Sequence, residues 1–175
     1  MDSTFRAVKQ RTNSNKQPGL KFEAVKIDSL FVVLYAVAWL DSPGTRAIAQ
    51  YANVDPRTVG KILKNARLIG LVQSPDDNTY VLAKPYPYQG ALDAKRNVVR
   101  EALLKHPLLR SIRQFLGLGD GLEDAMRKAA TVAGEKNYDK SAIAPLVSWA
   151  NSEKASFADS RLPNLEQLCF TLDQA

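Results

Sequence analysis

One cysteine and one histidine are all the thiol and imidazole groups this chain of 175 residues carries. Cys169 cannot form an internal disulfide, which fits a reducing cytosol. With His106 as the single imidazole, a four-ligand structural zinc site cannot be assembled. A phosphate-cradling loop is also missing. Gly117, Gly119 and Gly121 follow no strand signal, and no Gly-Lys-Ser/Thr comes after them. Asp120, Glu123 and Asp124 lack the ligand spacing of a calcium loop; Glu123 and Asp124 read as first-turn charges favourable to a helix dipole. Nothing supports pairing Cys169 with His106 as a nucleophile. The longest apolar run, residues 30–40, has 11 residues, whereas a membrane-spanning helix needs about 20. No apolar stretch follows the polar, basic N-terminus, so no secretory signal is expected. These absences predict a protein without catalytic activity, cofactor, metal or membrane span, located in the cytoplasm.

What is present is positive charge. The net charge is +6 and the isoelectric point about 9.5. Apolar residues make up 45% and charged residues 24%, enough of each for a buried core and a solvated surface. The charge is unevenly placed. Residues 1–27 carry six basic side chains against two acidic, residues 41–72 five against two, and residues 95–113 six against one, Glu101. Three basic stretches suit a polyanion.

Residues 1–24 show no apolar periodicity and contain Pro18-Gly19, which predicts a flexible basic arm. Asp28 or Ser29 can cap a helix running to about Leu40, apolar almost all round and therefore central to the core. Ser42-Pro43-Gly44 turns the chain into a second helix, residues 45–52. Asn53 follows and tolerates the left-handed conformation of a tight turn. Asp55-Pro56 supplies an N-cap and a first-turn proline for a third helix, residues 56–68, which Gly70 closes. Leu71-Val72-Gln73 and Thr79-Tyr80-Val81-Leu82 predict two short strands with a turn at Pro75-Asp76-Asp77-Asn78. Residues 84–90, with two prolines and a glycine, mark a boundary. Beyond it, helices are expected over residues 91–105, 107–116, 122–132, 140–150 and 162–172, with Trp149 and Phe157 as core anchors.

Residues 45–72 carry the functional signal. Ile48, Ala49 and Ala52 form one helical stripe; Val59, Ile62, Leu63 and Ala66 form another at offsets of three, four and seven, with Val54 in the corner between them. Each stripe can be buried only against the other and against the helix at 30–40. Together with the cap at Asp55 and Gly70-Leu71-Val72, this pattern over residues 28–82 resembles the winged helix-turn-helix superfamily of DNA-binding proteins. The resemblance implies an α+β, mostly α fold: a winged helix-turn-helix at 25–84 with a helical C-terminal extension at 91–175. It also implies that the helix at 56–68 reads the major groove of double-stranded DNA.

On that helix Arg57, Lys61 and Lys64 fall at offsets of four and seven on one face, beside Thr58 and Gly60, and Arg46 lies on the helix before. Arginine can grip guanine through two hydrogen bonds, and threonine offers a hydroxyl or a methyl group. Gly60 has two readings: close approach of the backbone to DNA, or tight packing on the preceding helix. Arg96 and Arg100, opposite the apolar Val98, Val99, Ala102 and Leu103, also have two: a second phosphate-binding face, or the solvated side of a helix packed on the core or a second subunit. The DNA-binding set expected is therefore Arg46, Arg57, Thr58, Gly60, Lys61, Lys64, Arg96 and Arg100. The expected function is transcription regulation, or a replication or partition role through the same surface, in a nucleoid-associated homodimer held by helices beyond Ala91. The competing reading is an adaptor whose winged domain, or whose C-terminal helices, bind a protein. The acidic tip Asp76-Asp77 predicts a wing held away from the backbone of DNA.

Overall fold

The computed structural model describes residues 20–76 and 78–153. Seven helices and one two-stranded sheet make up the described chain: α1 (Ile27–Trp39), α2 (Thr45–Ala52), α3 (Pro56–Leu68), β1 (Val72–Gln73), β2 (Val81–Leu82), α4 (Leu92–Lys105), α5 (Pro107–Gly117), α6 (Leu122–Val132) and α7 (Lys140–Ser152). The fold is α+β and mostly α. Among the described residues, no helix is long and apolar enough to cross a membrane.

Local chemistry explains the first half. In α1, Leu30, Val33, Leu34, Ala36 and Val37 are buried, so the helix lies under α2 and α3. Its start differs from the expected cap: Lys26 occupies the N-cap without a side-chain bond, and Asp28 sits in the first turn as a favourable charge on the helix dipole. Asn53 has φ 51° and closes α2, its amide donating to the Ala49 carbonyl. The Asp55 carboxylate accepts from the Arg57 and Thr58 amides and starts α3. At the other end Gly70, at φ 73°, donates to the Arg67 carbonyl while Leu71 donates to that of Ala66. That pair of crossed bonds is the Schellman stop, and it sends the chain straight into β1.

The sheet is shorter than its sequence suggested, with only Val72 opposite Leu82 and Gln73 opposite Val81. The rest of the expected strands is spent on the turn and on the α1–α2 connection. Ser74 Oγ donates to the carbonyls of Asp76 and Thr79. The Tyr80 amide donates to the Pro43 carbonyl at 3.1 Å. The hairpin is therefore folded back on the loop before α2, where a Cβ on Gly44 would meet the Asn78 carbonyl oxygen at 3.0 Å.

In the second half α5 and α6 pack side by side, α4 lies on α5 and α7, and α6 on α7. Pro107 breaks α4 from α5 at the expected point, and α6 has the bounds predicted for it. Trp149 is 2% exposed and donates through Nε1 to the Val25 carbonyl at 2.8 Å, as befits a core anchor. Phe157, residues 1–19 and the expected helix at 162–172 lie outside the described residues.

Two expectations about organisation are revised. Residues 20–24, read as the end of an arm, are strapped to the protein. The Leu20 amide donates to Glu135, the Phe22 amide to the Ala142 carbonyl at 2.8 Å, and the Phe22 ring is buried edge-on against His106 at 5.6 Å. Residues 84–90, read as a boundary, put Tyr86 into the core and Tyr88 against it. One continuous apolar core therefore runs through both halves. A periodicity search misses such a strap because a single buried aromatic in an extended segment has no repeat.

Candidate nucleic-acid interface

Helix α3 divides cleanly. Val59, Ile62, Leu63, Asn65 and Ala66 face the core, each apolar burial being worth about 1.5–3 kcal/mol for the larger side chains. Arg57, Lys61 and Lys64 are exposed on the opposite side, and Thr58 is half-buried at their edge. Arg67, which the sequence reading passed over, adds a further exposed cation in the last turn. Nothing lies within 4 Å of where a Cβ on Gly60 would be. Tight packing of that glycine on α2 is thus excluded, and the surface beside it is open. Arg46 is exposed on α2.

The cations of this face are not equivalent. Lys64 Nζ lies 2.5 Å from Glu23 Oε1. The pair is partly exposed, with side-chain accessibilities of 44% and 25%, so it contributes at most about 1 kcal/mol. It nevertheless neutralises one of the expected phosphate contacts. Glu23's pKa is lowered, first by this bond and then by the charges of Lys64, Lys21 and Lys61. Lys21 therefore belongs to the same neighbourhood, although its position before the first helix hid that. Arg57 and Lys61 form no ion pair among the described residues.

Asn65 explains why Glu23 is there. It is fully buried on the core side of α3, where its Oδ1 accepts from the Glu23 amide and its Nδ2 donates to the Glu23 carbonyl, both at 2.9 Å. This two-way bond, of the kind strands exchange, fastens the strap alongside the basic face. The available signal was a polar residue inside an otherwise apolar stripe: a buried amide needs partners for both its ends.

Arg96 and Arg100 are not brought to this face. Arg100 Nε donates to the Glu153 carbonyl at 2.8 Å and its Nη1 to Asn97 Oδ1 at 2.8 Å. Arg96 Nε stands 3.9 Å from the Glu153 carboxylate, which is 2% exposed. Burial raises the pKa of that carboxyl against the lowering pull of the two arginines. The buried Tyr86 phenol beside it is pushed up to about 12, by burial first and by Glu153 second. Both arginines thus hold the end of α7, and their geometry corresponds to the packing alternative rather than to a second phosphate face.

The hairpin tip adds no cation. Asp76 Oδ1 accepts from the Asn78 amide at 2.9 Å and the Thr79 amide at 2.8 Å, which lowers its pKa. The carboxylate builds the turn, as an Asx-turn does. Comparison of the chain with protein-family models, with curated proteins and with solved structures gives no match.

Proposed function

We propose that this protein binds double-stranded DNA with α3 laid in the major groove, as a transcription regulator or a replication or partition factor. In this reading α1, α2 and α3 with the β1–β2 hairpin form a winged helix-turn-helix. The observation that carries it is the outer face of α3. Arg57 and Lys61 project from its N-terminal half without an acidic partner among the described residues, and Gly60 leaves the surface between turns bare. Such a face can approach base edges and phosphates at once. Arg57, Thr58 and Lys61 are then the reading residues, Arg46 and Lys21 reinforce the phosphate contacts, and Lys64 joins them by exchanging Glu23 for a phosphate. Pairing of two copies through helices beyond Ala91 would double the length of sequence read and place the protein on the nucleoid.

Selection from a randomised duplex pool tests the reading, followed by titration of the enriched site. Enrichment of a motif is the expected result. Arg57→Ala and Lys61→Ala should each weaken binding to it by about 1–3 kcal/mol where a base contact is lost. Unchanged affinity in both variants with the fold intact refutes this surface. A pool without enrichment moves the adaptor reading ahead.

A further inference from the structure

Among the described residues, Glu23 is the one acidic side chain ion-paired to a cation of α3. Its position is set by the backbone and not by the charge. The buried Asn65 side chain accepts from the Glu23 amide and donates to the Glu23 carbonyl, each at 2.9 Å. The strap is anchored again on either side. The Phe22 amide donates to the Ala142 carbonyl at 2.8 Å, and the Val25 carbonyl accepts from the Trp149 indole at 2.8 Å. An exposed ion pair is too weak to hold a segment in place. Here the segment is held without it, and it delivers the carboxylate to the basic face.

Three lysines gather around that carboxylate. Lys64 Nζ meets Glu23 Oε1 at 2.5 Å. Lys61, one turn earlier on α3, and Lys21, two residues back along the strap, are near enough for their charges to act on it as well. All three lysines are exposed, and Glu23 is half-buried between strap and helix. Ammonium groups that converge on a carboxylate suit another oxyanion equally: a phosphodiester oxygen carries the same charge and accepts from the same donors.

We infer that Lys21, Lys61 and Lys64 form a site for one phosphate of a DNA backbone, and that Glu23 fills this site in the free protein as a tethered stand-in for the phosphate. The inference rests on the proposed DNA-binding role of α3 and adds a control built into that face. A carboxylate fixed two residues from Lys21 and bonded through its backbone to Asn65 faces the lysines at an effective concentration on the order of millimolar or above. A lone phosphate ion displaces such a competitor poorly. A duplex seated on Arg57 and Lys61 presents its next phosphate to Lys64 from an equally tethered position, so the exchange proceeds. The displaced Glu23 side chain is 25% exposed and has solvent to turn into. Glu23 thereby selects anions by valency: isolated charges are refused and a backbone that makes several contacts is admitted.

The full-length protein and Glu23→Gln, titrated with a labelled duplex of arbitrary sequence and separately with inorganic polyphosphate, test this. The glutamine variant should bind both polyanions about twofold to fivefold more tightly, the reach of one surface ion pair. The gain should shrink in a Lys64→Gln background, because the two residues act on one site. The dependence of duplex affinity on salt should have the same slope in both proteins, since Lys64 reaches the phosphate in either complex. A slope steeper by about one in Glu23→Gln means that Lys64 stays on Glu23 when the parent binds, and overturns the exchange. An equal gain with and without Lys64 also overturns it, because Glu23 then acts only as a distant negative charge. The backbone bonds to Asn65 do not involve the carboxylate, so Glu23→Gln keeps the strap; an unaltered urea transition verifies this. Tighter polyphosphate binding with no duplex binding by either protein keeps the anion site and refutes the DNA-binding proposal. Absent or unchanged affinity for both probes refutes the site itself.

Discussion

The refusal of folded His106 to take up a proton should make the fold lose stability as pH falls below about 6.5, before most carboxylates titrate. The imidazole lies at the joint of α4 and α5, 7% exposed, edge-on to Phe22. Burial lowers its pKa from 6.5 to about 4, and hydrogen bonding to the Leu68 backbone recovers only part of the shift. In the unfolded chain the group titrates near 6.5. Between those two values the unfolded state holds a proton that the folded state refuses, so stability falls as pH drops through this window and levels off below it. Taking both pKa values at face value, the loss between about pH 7.5 and about pH 4.5 is about 2.5 kcal/mol. That is a large part of the about 5–15 kcal/mol a domain commands. Glu153, with its raised pKa, acts in the opposite sense toward the acid end, so the comparison to make is between the protein and His106→Gln. Urea unfolding at a series of pH values should show the extra slope in the native protein alone. As the lone histidine, His106 also gives a single Cε1–H NMR resonance to titrate. A midpoint near 6.5 in the folded state, or equal slopes in the two proteins, would refute the argument.

Two substitutions separate structural from binding roles on the proposed interface. Gly60→Ala should stabilise α3 by up to about 1 kcal/mol, since the new methyl meets nothing, while weakening duplex binding if the backbone approaches DNA there; thermal unfolding and a binding titration read the two effects, and unaltered affinity removes Gly60 from the interface. Asp76→Asn keeps the oxygen that accepts from Asn78 and Thr79 but removes the charge, so the turn should survive and non-specific duplex affinity should rise or hold; loss of affinity with the turn intact would give the carboxylate a positive role, such as contacting a partner.

Elements with local signals were legible to the residue. Helices α2, α3 and α6 start and stop where Asn53, Asp55-Pro56, Gly70 and the Gly121-Leu122 junction say they should, because caps and left-handed turns act within a few residues. The exposed cations of α3 followed from the same periodicity. What stayed hidden depends on partners far along the chain. Lys64 looked like a free cation because Glu23 is 41 residues away, and Arg100 looked like a surface residue because Glu153 is 53 away. Tyr35 and Trp39 of α1, Tyr51 of α2 and Tyr88 of the 84–90 segment come together at the surface, and no one of these elements contributes more than two of the rings.

The strap of residues 20–25 also changes how the two halves must be thought of. Asn65 ties Glu23 to α3, Phe22 closes over His106 at the α4–α5 joint, and Val25 receives the Trp149 indole of α7. The proposed reading helix is thus fastened, through one extended segment, to three elements of the C-terminal half. A domain boundary at 84–90 would let α3 keep its position whatever happened beyond it. The strap removes that independence: loosening α7 or charging His106 acts on the segment that carries Glu23, and so on Lys64 and the edge of the basic face. Helices beyond Ala91 then contribute to the orientation of α3 from within one chain, before any pairing of chains is invoked.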